Sequence, residues 1–130
     1  MKTESQKLIG KLDTLFSQYV RLLEGGYCRR CGKYLGTKSR GYHCCHYKTR
    51  AKHSVRWDRE NVTALCYGCH RFIDHPNRKL EKDEFFRELL GQERFNKLNE
   101  RAERLFPKVD KEALIEFYKE KLKELDSGSS

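Results

Sequence analysis

From Ser5 to Leu23 apolar residues recur at three- and four-residue steps, at Leu8, Ile9, Leu12, Leu15, Phe16, Tyr19, Val20 and Leu23. That period predicts an amphipathic helix, with Thr3 or Ser5 placed to cap it and Gly25-Gly26 to stop it. From Tyr27 to His75 the helical period disappears, glycines punctuate the chain, and Tyr42 to Tyr47 and Val62 to Leu65 read as short strands. Beyond Pro76 the period returns. Phe85, Phe86, Leu89 and Leu90 lead to a stop at Gly91, and Phe95, Leu98, Ala102, Leu105 and Phe106 to one at Pro107. A last helix is expected from about Asp110, its cap, through Ala113, Leu114, Phe117, Tyr118, Leu122 and Leu125.

These elements predict one α+β domain over residues 1–130. It has an N-terminal helix over 5–24, an irregular core over 27–79, a helical region over 80–126 and a flexible tail over 127–130. The core is too irregular to build its own apolar interior, so something else must hold it.

Charge sharpens that division. Residues 27–79 carry thirteen Lys/Arg against three Asp/Glu, whereas residues 80–130 carry eleven against thirteen. A one-sign field on a small segment points to a polyanionic partner, most simply nucleic acid. With neither a membrane-length apolar run nor a secretory signal, the expectation is a soluble cytoplasmic protein.

Cysteine spacing supplies what the core lacks. Cys28-Arg-Arg-Cys31 and Cys66-Tyr-Gly-Cys69 are two C-x-x-C knuckles. Each turn aims two thiolates at one point, and two turns complete the closed Cys₄ shell of structural zinc. The binding free energy of such an ion becomes folding free energy. A redox dithiol would want a βαβ context, and cluster proteins use other spacings. Cys44 and Cys45 remain outside the knuckles. Adjacent strand residues point to opposite faces, so the two are not expected to ligate one ion together, and Cys44 reads as a buried free thiol.

His43-Cys-Cys-His46 and Asn61 fall between the knuckles, and His70 follows Cys69 directly at the expected start of a helix. Here the chain resembles the His-Asn-His nucleases, whose motif ends in Asn, a few apolar residues and C-x-x-C-His. The resemblance implies a zinc-stapled ββα-metal (HNH, His-Me finger) core, His46 as general base and His70 as ligand of a catalytic Mg²⁺ or Mn²⁺. Asn61 would pin the loop that orients His46. A histidine suits the base's task because its ordinary pKa of about 6.5 leaves it largely neutral at physiological pH. The bland readings are that His70 is a spare zinc ligand and His46 a hydrogen-bonded bystander. His53 and His75 carry no assigned role.

The resemblance extends further. Leu15-Phe-Ser-Gln-Tyr-Val-Arg-Leu22, Cys28-x-x-Cys-Gly, His43-x-x-His-Tyr47, Arg56-Trp-Asp-x-x-Asn-Val62 and Leu90-Gly-Gln-Glu-Arg-Phe95 look like the phage NinG/Rap recombination proteins. The knuckles and histidines are also similar to those of phage endonucleases that resolve Holliday junctions. The implied function is a phage-encoded, metal-dependent endonuclease acting on branched DNA such as Holliday junctions and D-loops in the bacterial host, as a homodimer because resolution takes two cuts. Where many ββα-metal nucleases carry Asp before the catalytic His, this chain has Cys45. Water, His43 or Cys45 itself would then complete the ion's shell, or the ion is softer than Mg²⁺.

Lys48, Arg50, Lys52, Arg56 and Arg59 lie between His46 and Asn61, and Arg71, Arg78 and Lys79 follow His70. All eight are expected to contact DNA phosphates. Tyr47 and Trp57 are candidates for stacking on unpaired bases, with core packing the favoured reading for Trp57. Two alternatives share the zinc and the charge: a catalytically silent DNA-binding or recombination-mediator module, and a nicking or packaging-associated endonuclease on duplex DNA.

Overall fold

Thr3 opens the first helix with a capping box. Its hydroxyl accepts from Gln6 N, and the Gln6 side chain accepts from Thr3 N, so two orphan amides are satisfied. The resulting helix α1 spans Glu4–Leu23. Gly25, at φ 73°, then turns the chain where a side chain would be strained. The structure, a computed structural model, describes residues 1–105 and 108–128.

Strand β1 (Tyr42–His46) pairs antiparallel with β2 (Val62–Cys66), with His46 opposite Val62 and Tyr42 opposite Cys66. Helix α2 (Tyr67–Ile73) begins at the next residue. It starts earlier than His70, so the second cysteine of the knuckle already sits on the helix. Helix α3 covers Lys79–Leu90, α4 Gln92–Ala102 and α5 Lys111–Gly128. Gly91, at φ 84°, makes the corner between α3 and α4. Among the described residues the fold is thus α+β, with five α-helices and one two-stranded sheet.

Two boundaries depart from the sequence expectation. Helix α4 stops at Ala102 with Glu103 as its cap, before the expected Leu105, and Phe106 and Pro107 lie outside the described residues. Helix α5 continues through Ser127 and Gly128, where a tail was expected, and residues 129–130 lie outside the described residues. Asp110 does cap α5, its carboxylate accepting from Ala113 N at 3.0 Å.

The sheet is covered on both faces. Toward α1 and α5, Tyr42, Val62 and Ala64 join Leu12, Phe16, Val20 and Tyr118 in one core. Toward α2, α3 and α4, Cys45 and Leu65 join Ile73, Phe86 and Phe95 in another. Long-range polar ties lock α1 to the loop between the strands. Asp13 accepts two hydrogen bonds from Arg56, at 3.1 and 2.6 Å, and one from Trp57 Nε1 at 2.8 Å. Glu24, at the end of α1, accepts from Thr63 Oγ1, Ala64 N and Arg59.

Candidate metal centres and nucleic-acid surface

The first knuckle is a tight turn, with Gly32 N donating to Cys28 O at 2.8 Å, and the second closes where α2 starts. Their four sulfurs, of Cys28, Cys31, Cys66 and Cys69, all lie within 4.8 Å of one another. Zn–S bonds of about 2.3 Å in a tetrahedron require S···S separations near 3.8 Å. Cys31 and Cys66 stand at 3.9 Å. The donor set therefore fits zinc, and its four positions leave none open for substrate. Arg30 adds an N–H···S contact to Cys69 at 3.4 Å, which offsets thiolate charge.

A second set of donors forms on the α2 face of β1. Cys45, His70 and Asp74 bring their ligand atoms within 4.8 Å of one another. Asp74, the C-cap of α2, lies four residues beyond His70 and on the same face, with His70 Nε2 and Asp74 Oδ2 at 2.8 Å. Lys82 holds the other carboxylate oxygen at 2.7 Å. Burial would raise the Asp74 carboxyl, but the bonds from His70 and Lys82 outweigh it and keep Asp74 well below the usual carboxylate range. Burial and the neighbouring Asp74 push the Cys45 thiol up. His43 touches this set from outside, its Nδ1 3.0 Å from His70 Nδ1 and its Nε2 3.0 Å from Arg40 O.

His46 lies elsewhere. Strand alternation turns it to the α1 face, its ring centroid 6.5 Å from that of Phe16 and its Nε2 3.0 Å from Arg56 O. The two histidines that meet are thus His43 and His70, not His46 and His70. Burial pushes the His46 imidazole down to about 4, so the ring is neutral at pH 7. Because Nε2 faces an acceptor it carries the hydrogen, and Nδ1 keeps the lone pair. Asn61 is fully buried, and its carboxamide makes two bonds to the Lys48 backbone, accepting from N at 2.8 Å and donating to O at 3.1 Å. It fixes the start of the loop that follows His46.

The family model described as NinG, Bacteriophage Lambda NinG protein, matches residues 1–128. The chain belongs to the NinG family. NinG is a phage recombination-associated family, and the match takes in α1 and α5 as well as the knuckles. No curated protein and no solved structure matches the chain. Among its described residues, no helix of this NinG-family chain is long and apolar enough to cross a membrane.

The basic residues divide into two groups. Lys48, Lys52 and Lys79 line a cleft of about 350 Å³ beside Asp74, and Lys82, which sequence reasoning passed over, joins them there. Arg50 and Arg71 are exposed, while Arg78 stacks its guanidinium 3.9 Å from the Phe72 centroid. Arg56 and Arg59, expected at phosphates, pair their guanidiniums with Asp13 and Glu24, Arg59 with its side chain 37% exposed. Trp57 packs in the core, as favoured, and Tyr47 is enclosed as well. Trp57 is only 5% exposed, and Tyr47 packs its ring against Phe86 and Phe95 while its hydroxyl donates to Asp83 at 2.7 Å. Asp74 is the functional candidate that sequence reasoning missed. Its spacing four residues beyond His70, at the end of a helix opened by the knuckle, was the available signal.

Proposed function

We propose that this chain is a metal-dependent DNA endonuclease that hydrolyses phosphodiester bonds in branched recombination intermediates of phage DNA, on a ββα-metal core stapled by zinc. The observation that carries the reading is the Cys45–His70–Asp74 set at the edge of a lysine-lined cleft, on a ribbon and helix tied by four cysteines. A divalent cation bound there would neutralise charge on the phosphate and on the departing 3′ oxygen. The mix of carboxylate, imidazole and thiol suits Mn²⁺ better than Mg²⁺, which prefers an all-oxygen shell.

The chain's own residues do the rest. Lys48, Lys52 and Lys79 draw the DNA backbone into the cleft and contact phosphates without reading sequence, while Lys82 stays on Asp74. His46, neutral and with its Nδ1 lone pair unengaged, takes the proton from the attacking water. It ends β1 in a ribbon of only two strands, on the face opposite Cys45. Asn61 keeps the loop beside His46 from drifting. One site per chain and two cuts per junction make a homodimer the working unit, in the cytoplasm of the infected bacterium.

The test is to incubate zinc-loaded protein with labelled duplex, nicked and four-way-junction DNA in Mg²⁺, Mn²⁺ or chelator. Junction cleavage that needs the divalent ion is expected. The second reading, a catalytically silent zinc-dependent DNA-binding module, is favoured by His46 facing away from the donor set. Intact junction binding with no cut under any ion would establish that alternative. Equal cutting of plain duplex would turn the reading toward a nicking or packaging-associated enzyme.

A further inference from the structure

Tyr27 and Tyr34 stand outside every core of the molecule. Tyr27 is 55% and Tyr34 63% exposed, yet their ring centroids lie 4.9 Å apart across the bridge that pairs the two residues. The hairpin beneath them is stiff. Cys28 N donates to Lys33 O and Leu35 N to Gly26 O, both at 2.8 Å, and Tyr42 Oη donates to the Tyr27 carbonyl at 2.9 Å. Gly26 sits so close to Gly36 that a Cβ on it would come within 2.8 Å of Gly36 Cα. Cross-strand packing explains why the two rings touch. It does not explain why their outer faces stay bare on a scaffold this rigid.

The surrounding charge says what covers them. Residues 27–40 hold five Lys/Arg and no Asp/Glu. Arg29, Lys33, Lys38 and Arg40 make no ion pair among the described residues. Bare aromatic faces ringed by unpaired cations fit a polyanion that offers planar groups. In duplex DNA the base faces are already stacked on each other, so only unpaired bases can present one. A third exposed ring lies beside the ion site. Tyr67, 54% exposed, follows Cys66, whose sulfur lies 3.9 Å from that of Cys31 on the first knuckle. The Tyr67 ring meets His43 edge-on at 5.7 Å, and His43 bonds His70.

We propose that Tyr27 and Tyr34 form a stacking platform for the unpaired bases of a single-stranded arm at a DNA branch, with Tyr67 as a third ring beside the Cys45–His70–Asp74 set. The proposal rests on the DNA reading above and names the part of the DNA that this surface takes. Stacking on such rings contributes severalfold to a hundredfold in affinity per base.

The experiment uses the full chain loaded with zinc, without Mg²⁺ or Mn²⁺, and forked DNA carrying 5-iodouracil in its unpaired arm. Irradiation should crosslink Tyr27 or Tyr34, located by mass spectrometry, and the same base inside a duplex should not. The double variant Tyr27→Leu with Tyr34→Leu keeps an apolar pair on the hairpin, and its thermal melt and zinc content verify its fold. It should bind the fork about tenfold more weakly and plain duplex within about twofold of the parent. Unchanged fork affinity in that variant, or crosslinks that avoid both tyrosines, overturns the platform and leaves the DNA reading standing. A parent protein that binds neither fork nor duplex overturns both.

Discussion

The two faces of β1 are cut from one run, Tyr42-His-Cys-Cys-His46, yet they meet different surroundings. Toward α1, Tyr42, Cys44 and His46 sit against Phe16 and its neighbours, an environment stabilised by burial at about 25 cal/mol per Å² of apolar surface. Toward α2, His43 and Cys45 meet His70 and Asp74, polar groups satisfied by one another and by Lys82. The apolar face is held by two distant helices through Asp13, Glu24 and Tyr118. The donor face is held locally, because Cys66 and Cys69 lie at the end of β2 and in the first turn of α2. The lesson is that one strand can carry a helix-docking surface and a candidate ion site when their anchors are independent.

The independence can be broken from either side. The largest effect is expected from Cys28→Ala. Structural zinc supplies an apparent ~10–16 kcal/mol in small zinc domains, as much as a whole domain's ordinary stability. The variant should lose its cooperative transition in circular dichroism; a melt like the parent's would mean that the helices alone hold the ribbon. His70→Ala comes next. It should change the unfolding free energy by no more than about 1 kcal/mol while junction cleavage falls at least about a hundredfold.

Asp13→Asn acts on the other face. It removes the carboxylate charge and the Oδ2 that accepts from Arg56 Nη2, and should cost about 1–3 kcal/mol in urea titration, with zinc content unchanged. Burial raises the Asp13 carboxyl, but the bonds from Arg56 and Trp57 outweigh it and hold it below its ordinary 3.8. A lowered folded pKa contributes stability that is complete above the unfolded value and lost as pH falls through the folded one. The parent should therefore lose stability below about pH 3.8 in a way that the Asn variant does not. The smallest effect is expected from Cys44→Ala, about 1 kcal/mol or less for a trimmed core side chain, with cleavage unaltered. Cys45→Ala, one residue on, should instead change which divalent ion supports cleavage.

Periodicity made α1, α3 and α5 legible in advance, and cysteine spacing located the four-sulfur set. What could not be read were partners far apart in the chain. Arg56 and Arg59 look like free cations in sequence because Asp13 and Glu24 lie on α1, 43 and 35 residues away. Tyr47 looks available for stacking until Phe86 and Phe95 enclose it. The face of His46 was legible, since alternation separates it from Cys45, but the motif drew attention to His46 and His70 as a pair. Asp74 was hidden by its surroundings rather than by its spacing. It sits in an irregular stretch just past α2, where the helical stripe is too short to show.

The claim that most depends on geometry is that the α2 face of β1 holds a divalent cation. It is tested most directly by the anomalous difference map of a crystal of the zinc-loaded protein grown with Mn²⁺. The expected map has a manganese peak bounded by Cys45 Sγ, the His70 ring and the Asp74 carboxylate, separate from the zinc peak among the four cysteines. A map with zinc at the knuckles and no manganese between those three side chains would contradict it.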